Sequence, residues 1–279
     1  MVDKYLPEVY GGSNKWLRKF KIDKRIIDKN KHAHVIRDIL YDKNDNIFVL
    51  ENFSDCIKVF SAIDKESTSS IEESQTWGKH MKDIKTSKKL HYYDLNIIDM
   101  AYSHSEGRIG TVNTDYTISF WDSQDNFTFE KVILNPKTDL HIQIYYIHYC
   151  NYWITVDEKF YIHIWDITED TEETLPKKNN MNILDIWEIT QLRMIAISCL
   201  DKEIMIWNIE KKLLITKIPL ISVSAHSLAY MHDYKALGTA SFGNRVSIYI
   251  IYKDDVSLLD HLTGHITTVT AIQALEGKA

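Results

Sequence analysis

Hydrophobic and polar residues alternate in short runs along most of this chain, and the runs recur. Aligned on their last residue, SDCIKVF ends at Phe60, DYTISFW at Trp121, KFYIHIW at Trp165, DKEIMIW at Trp207 and GNRVSIY at Tyr249, at intervals of 61, 44, 42 and 42 residues. A second set keeps step with the first. VIRDILY, NIIDMAY and NILDIWE place Asp38, Asp99 and Asp185 each 22 residues before Phe60, Trp121 and Trp207, and Gln143 and Ser227 hold that place in the other two units. Alternation with period 2 is what a strand with one buried face requires. In the second unit it predicts strands over 97–102, 108–113 and 117–121, with SHSEG and TD as the turns. A fourth strand is predicted at 127–134, 213–218 and 256–262. After Trp165 the stretch DITEDTEETLPKKNN is polar, so the outer strand of that unit is expected to be poorly formed or missing.

Four antiparallel strands repeating every 42 to 44 residues describe one blade of an all-β propeller. The longer first interval is the same unit with an insertion, residues 64–89, which is polar, rich in Ser and Lys, and expected as a long mobile surface loop. Residues 1–31 then form an N-terminal extension with a basic strand, and 32–279 hold about five blades plus a partial one. LTGHITTVTAIQALEGKA reads as the first strand of a sixth unit, and Lys15 to Ile22 as an outer strand without its blade. The expectation is an incomplete propeller, either part of a longer protein or completed by a partner strand.

These units resemble the WD40 repeat family. Trp121–Asp122 and Trp165–Asp166 are its dipeptide, and Trp207–Asn208 is a variant of it. Asp115 and Asp201 stand six residues before their tryptophans, as the family's turn aspartate does, and Gly264–His265 matches its Gly-His. The resemblance implies WD40-type blades locked by a hydrogen-bonded set: the tryptophan, a strand hydroxyl, the turn aspartate and the histidine. Thr111, Thr155 and Thr239 stand where the hydroxyl is required. Phe60 and Tyr249 replace the tryptophan, Lys159 and Gly243 replace the aspartate, and Gly-His occurs once, so no unit shows the full set and apolar packing is expected to dominate. The last fifth, from His226 to Gly277, is similar to blades of the ciliary WD-repeat proteins that often carry EF-hands. That likeness implies a cytoskeletal, axonemal setting.

Charge adds a candidate surface. The chain carries −6 in total, but residues 15–31 hold eight Lys/Arg against two Asp, which leaves −12 on the remainder. Such an acidic body is not that of a nucleic-acid binder. The basic strip, with Lys15, Arg18, Lys19, Lys21, Lys24 and Arg25, suits an acidic partner such as tubulin. The 64–89 insertion and the acidic 166–173 stretch are further candidates for protein contact. No apolar run reaches the roughly 18 residues of a membrane span. Cys56, Cys150 and Cys199 are isolated, as reduced thiols of a cytoplasmic protein are.

Chemical motifs are absent. Asp42-x-Asn44-x-Asn46 begins like a calcium loop, but Ile47 stands at the glycine and Phe53 at the bidentate glutamate. His32-x-His34 has no further ligand at zinc spacing. No phosphate loop, nucleophile elbow or HExxH is present. The repeated Asp38, Asp99 and Asp185 read as blade features making hydrogen bonds near a central channel. No catalytic residue, cofactor or metal is expected. The function read from this is a non-catalytic scaffold in a cytoskeletal assembly, the ciliary axoneme. The alternative is a soluble peptide-binding adaptor of a ubiquitin-ligase or trafficking complex.

Overall fold

A computed structural model describes residues 36–41, 47–51, 56–60, 80–85, 96–123, 128–134, 139–168, 171–176, 182–220, 223–241, 243–252 and 255–274. These residues form five four-stranded antiparallel sheets. The first holds β1 (Ile36–Tyr41), β2 (Ile47–Glu51), β3 (Cys56–Phe60) and β4 (His80–Lys85); the second β5 (Ile97–Ser103), β6 (Arg108–Asn113), β7 (Thr117–Asp122) and β8 (Thr128–Leu134). The third holds β9 (His141–Ile147), β10 (Tyr152–Asp157), β11 (Ile162–Asp166) and β12 (Thr171–Thr174). The fourth holds β13 (Ile183–Ile189), β14 (Met194–Cys199), β15 (Glu203–Asn208) and β16 (Leu213–Pro219), and the fifth β17 (Ala225–Met231), β18 (Ala236–Ser241), β19 (Arg245–Ile251) and β20 (Val256–Thr263). In every sheet the strands pair in chain order, so each is a meander.

Two outer strands differ from expectation. Residues 80–85, placed in the polar insertion, form β4 and pair with β3. Its sequence HMKDIK alternates only weakly, because an outer strand has solvent on most of its surface and needs few apolar residues. For the same reason the polar stretch after Trp165 still supplies β12, a four-residue strand paired with β11 through Thr171 to Thr174.

The repeat extends to backbone detail. Each innermost strand carries a bulge at residue 37, 98, 142, 184 or 226, immediately before the aligned Asp, Gln or Ser. A bulge re-aims the next side chain, here away from its own sheet. The first turn of the second to fifth units holds a residue in the left-handed region 14 positions before the closing aromatic: Gly107 (φ 69), Asn151 (φ 56), Arg193 (φ 53) and Lys235 (φ 50). In the second, third and fourth units the second turn does so five positions before it, at Tyr116 (φ 66), Phe160 (φ 62) and Lys202 (φ 65). In this glycine-poor chain, side chains occupy positions that glycine would take without steric cost.

The closing aromatics explain how the sheets stack. Trp121 packs with Phe48, Leu50 and Ile57 of the preceding sheet, and Trp165 with Val112, Ile118 and Phe120. Trp207 lies with Ile154, Val156 and Ile162, and Tyr249 with Ala196, Ile204 and Ile206. Each ring therefore reaches back one unit, and full burial of such a ring stabilises by roughly 1.5–3 kcal/mol. On the opposite face, small residues on the second strands admit the next unit. A Cβ on Gly110 would stand 2.4 Å from the Trp153 ring and 3.0 Å from Ile144. A Cβ on Gly238 would stand 2.7 Å from Ile272. Ile272 thus fills against the fifth sheet the place that Ile144 fills against the second. The segment expected to open a sixth unit packs as one, with Val269 and Ile272 on Ala236, Ala240 and Ile248, although it forms no ladder among the described residues.

Candidate interaction surface

The innermost strands converge on a common cleft. Residues of all five units line it, from Leu40 of the first to His232 of the fifth, around a volume of about 590 Å³. In the second, third and fourth units the aligned residue after the bulge bridges to the next unit beside this cleft. Asp99 Oδ2 accepts the Ile144 amide at 2.9 Å, and Asp185 Oδ2 accepts the Leu228 amide at 2.8 Å. Gln143 reaches forward as a donor, from Nε2 to the Leu184 carbonyl at 3.2 Å. The physical need is plain: an innermost strand has one unpaired edge, and its amides require acceptors. The expectation that the repeated aspartates satisfy backbone groups near the centre holds for Asp99 and Asp185. The Asp38 side chain lies outside the described residues.

Asp185 is the most perturbed of these groups. It touches the cleft but is packed around by neighbouring strands, and that burial pushes its pKa up to about 7. The amides of Leu228 and Ile186 and the Tyr145 hydroxyl oppose the shift only in part. Burial likewise drives Tyr145 well above its ordinary value.

A second repeat was not seen in the sequence. Tyr102-x-His104, Tyr146-x-His148 and Tyr230-x-His232 stand three and five residues after the aligned position and end the innermost strands of three units. Their rings form a strip: Tyr102 to His104 at 4.8 Å, His104 to His148 at 5.8 Å, and His148 to Tyr146 at 4.9 Å. Tyr230 stands 5.2 Å from His232. The signal was available in YSH, YIH and YMH at matched offsets. In the fourth unit Glu188 and Thr190 take these places, and Glu188 accepts the amides of His148 (2.9 Å) and Tyr149 (3.1 Å).

The sequence-derived structural residues are distributed along the blades. Trp121, Trp165 and Trp207 are buried. Asp115 is buried in the second turn of its unit, where Oδ1 accepts the Thr117 amide at 3.2 Å and its hydroxyl at 2.6 Å. Asp201 and His265 are exposed. Of the three threonines expected to supply the locking hydroxyl, Thr155 meets its tryptophan, accepting from Trp165 Nε1 at 2.8 Å. Thr111 donates to Asn113 Oδ1 and Thr239 to the Ser247 carbonyl. The fourth unit has Ile197 at the hydroxyl position, and Trp207 Nε1 is buried without a partner.

The third unit assembles a polar set from positions that the alignment did not mark. Asp157, two residues before the expected turn position at Lys159, accepts the amides of Lys159 (2.9 Å) and Tyr161 (2.8 Å). Its other oxygen bonds His163 Nε2 at 3.1 Å, while His163 Nδ1 meets Glu172 Oε1 at 2.8 Å. His141 lies 4.9 Å from His163 and 5.9 Å from Trp165. Burial, then the neighbouring His163, lowers its pKa to about 4. His141 and His163 are therefore parts of a buried network. Among the described residues no group of three or more His, Cys, Asp or Glu could hold a metal ion, and no helix is long and apolar enough to cross a membrane. Cys150 and Cys199 are free thiols raised to about 12 by burial. Lys15, Arg18, Lys19, Lys21, Lys24, Arg25, His32, His34 and the 42–46 loop lie outside the described residues, as does most of the 64–89 insertion.

Five meanders stacked around a cleft have counterparts in fold among solved structures. The chain is similar to one in the crystal structure of the mitotic checkpoint complex, with a TM-score of 0.65 and 12% identity over 85% of this chain and 68% of that one. It is also similar to the β-propeller domain of Myceliophteria thermophila Cps50 (Swd1), with a TM-score of 0.62 and 11% identity over 84% of this chain and 73% of that one. The fold is a β-propeller. Its blades are the four-stranded meanders expected from the repeat, and the described residues form an open set of five rather than a closed ring. No family model matches the chain, and no curated protein does. In propeller terms the cleft is the axial channel, and the Tyr-x-His strip lies on the face that carries the turns between first and second strands.

Proposed function

We propose that this propeller is a non-catalytic scaffold for protein–protein contacts within a larger cytoskeletal assembly, and that the assembly is the ciliary axoneme. The observation that carries the scaffold reading is how the polar groups of the inner strands and turns are used. Asp99, Asp185, Gln143 and Glu188 hold one blade to the next, and Asp115, Asp157 and His163 hold turns and strands within a blade. What remains for function is surface: the axial cleft, the ring strip beside it and the loops. The two similar structures support the same reading, because one belongs to a named multi-protein complex and the other is a β-propeller domain.

The axonemal setting rests on the resemblance of the last fifth of the chain and on the basic strip at 15–25. That strip offers six cationic side chains to the acidic surface of tubulin, and such complementarity accelerates and orients association more than it deepens affinity. Microtubule co-sedimentation tests it. Replacing Lys15, Arg18, Lys19, Lys21, Lys24 and Arg25 by glutamine is expected to abolish salt-sensitive pelleting with microtubules. Unchanged pelleting sinks the tubulin contact. A protein that never pellets but captures peptides as a monomer belongs instead with the soluble adaptors.

A further inference from the structure

An outer strand leaves one edge of its sheet unpaired, and charge on such a strand keeps other strands from adding to it. β8, β12 and β16 each tie a charged side chain into an ion pair: Glu130 with Arg108, Glu173 with Lys212 and Lys217 with Glu203. The β4 sequence, HMKDIK, holds Lys82, Asp83 and Lys85. β20 differs. It is the longest outer strand, at eight residues, and Leu258, Leu259 and Leu262 are 45, 63 and 52% exposed. Asp260 is its one acidic residue, and no lysine or arginine occurs from 255 to 274. Among the described residues no strand pairs with its outer edge.

The two faces of β20 decide what fits beside it. Leu262 lies opposite Val246 and Asp260 opposite Ile248, so both stand on the face that carries Val269 and Ile272. His261 and Thr263, opposite Ser247 and Arg245, stand on the other face. A neighbouring strand therefore needs an apolar residue and a cation two positions apart on the first face, and residues that tolerate water on the second. KWLRKFKI, residues 15–22, has this pattern. In extended form Trp16, Arg18, Phe20 and Ile22 share one face, and Lys15, Leu17, Lys19 and Lys21 the other. An antiparallel register that sets Arg18 opposite Asp260 also sets Trp16 opposite Leu262. The lysines then supply the edge protection that β20 lacks. Residues 23–35 connect the strip to β1 and span up to about 45 Å when extended, roughly three widths of a four-stranded sheet.

We propose that residues 15–22 of this chain add antiparallel to the outer edge of β20, as a fifth strand of the fifth blade. The inference goes beyond the scaffold reading and does not depend on it. It concerns backbone pairing and the Trp16, Phe20 and Leu262 side chains, and it leaves Lys15, Lys19 and Lys21 together on the face away from Trp16.

The test is a register-specific disulfide in the full chain. Lys15 and Thr263 stand opposite in this register, where Cα atoms lie about 4.5–5.5 Å apart, within the roughly 4.4–6.8 Å that a disulfide spans. Lys15→Cys with Thr263→Cys is expected to cross-link within one chain on mild oxidation, with the bond located by peptide mapping. Lys15→Cys with Ser257→Cys, roughly 20 Å away along the strand, is expected to give at least tenfold less. Hydrogen exchange supplies a second measure. The outer-edge amides of 256–263 are expected to exchange about tenfold or more faster in a Trp16→Ser, Phe20→Ser protein than in the parent, while β17 to β19 keep parental rates. Equal cross-linking at 257 and 263, or parental exchange in the double variant, overturns the proposal. A disulfide that joins two chains gives the edge to a second copy and overturns the assignment to the chain's own strip. Microtubule pelleting reads the basic side chains and not this pairing, so either result can fail without the other.

Discussion

Trp165 and Trp207 end the third strands of adjacent blades, both nearly inaccessible, yet their indole nitrogens differ. Trp165 Nε1 donates to Thr155 Oγ1 at 2.8 Å, with Thr155 itself fully buried. Trp207 Nε1 has no partner, and Ile197 occupies the position equivalent to Thr155. Phenylalanine at either position removes the same part of the ring, so the loss of apolar contact is common to both and cancels in the comparison. At 165 the change also strands a buried hydroxyl, a cost of about 1–3 kcal/mol. At 207 it removes a buried donor that nothing satisfies. Trp165→Phe should therefore destabilise more than Trp207→Phe by about 1–3 kcal/mol, or roughly five- to 150-fold in the unfolding equilibrium. Urea unfolding followed by circular dichroism reads the difference. Adding Thr155→Val to Trp165→Phe makes both positions apolar and should recover much of the excess loss. Equal losses at the two tryptophans, or a larger one at 207, refute the assignment of that hydrogen bond.

Other expectations follow from the same geometry. The Asp185 carboxyl binds its proton more tightly folded (about 7) than unfolded (about 4), so the stability it contributes is present at low pH and lost as pH rises through that window. The parent should lose stability relative to Asp185→Asn between pH 5 and pH 8, by urea midpoints; the opposite effect of His141 is common to both proteins and cancels, and a flat difference would show that Asp185 titrates normally. Lys202→Gly and Lys235→Gly release left-handed strain at exposed turns and should each raise stability by about 0.5–1 kcal/mol, while a loss in thermal melting contradicts the turn geometry. Gly110→Ala forces a methyl into the Trp153 ring and should cost about 1–3 kcal/mol, whereas Gly243→Ala, whose Cβ meets nothing nearer than 3.4 Å, should be close to neutral in the same melts.

The sequence was most legible where one physical demand repeats. The closing aromatics recur because each ring must fill the same space against the preceding blade, and their spacing revealed the blades and most strand limits. β4 and β12 were obscured because an outer strand wets most of its surface and so loses the alternation that marks a strand. The aspartates after the bulges could be located from alignment, but not the fact that they bond forward into the next blade. That direction is set by the bulge, which leaves no sequence signal of its own. The network of Asp157, His163 and His141 was missed because it sits two residues away from the family positions. In three dimensions different side chains satisfy the same turn. The Tyr-x-His strip was readable and overlooked, since its offsets match in three of five blades.

The forward bonds of Asp99 and Asp185 give the stack a direction in time as well as in space. In each the acceptor belongs to the earlier blade and the amide to the later one. During synthesis the N-terminal blade is made first, at about 5–20 residues per second. The second and fourth blades therefore emerge from the ribosome already carrying the carboxylate that the next blade's first strand needs. An inner strand arriving with one bare edge finds its acceptor in place and need not wait for its own outer strands. At these two junctions the acceptor is made first, so the third blade docks on the second, and the fifth on the fourth, with the carboxylate already present.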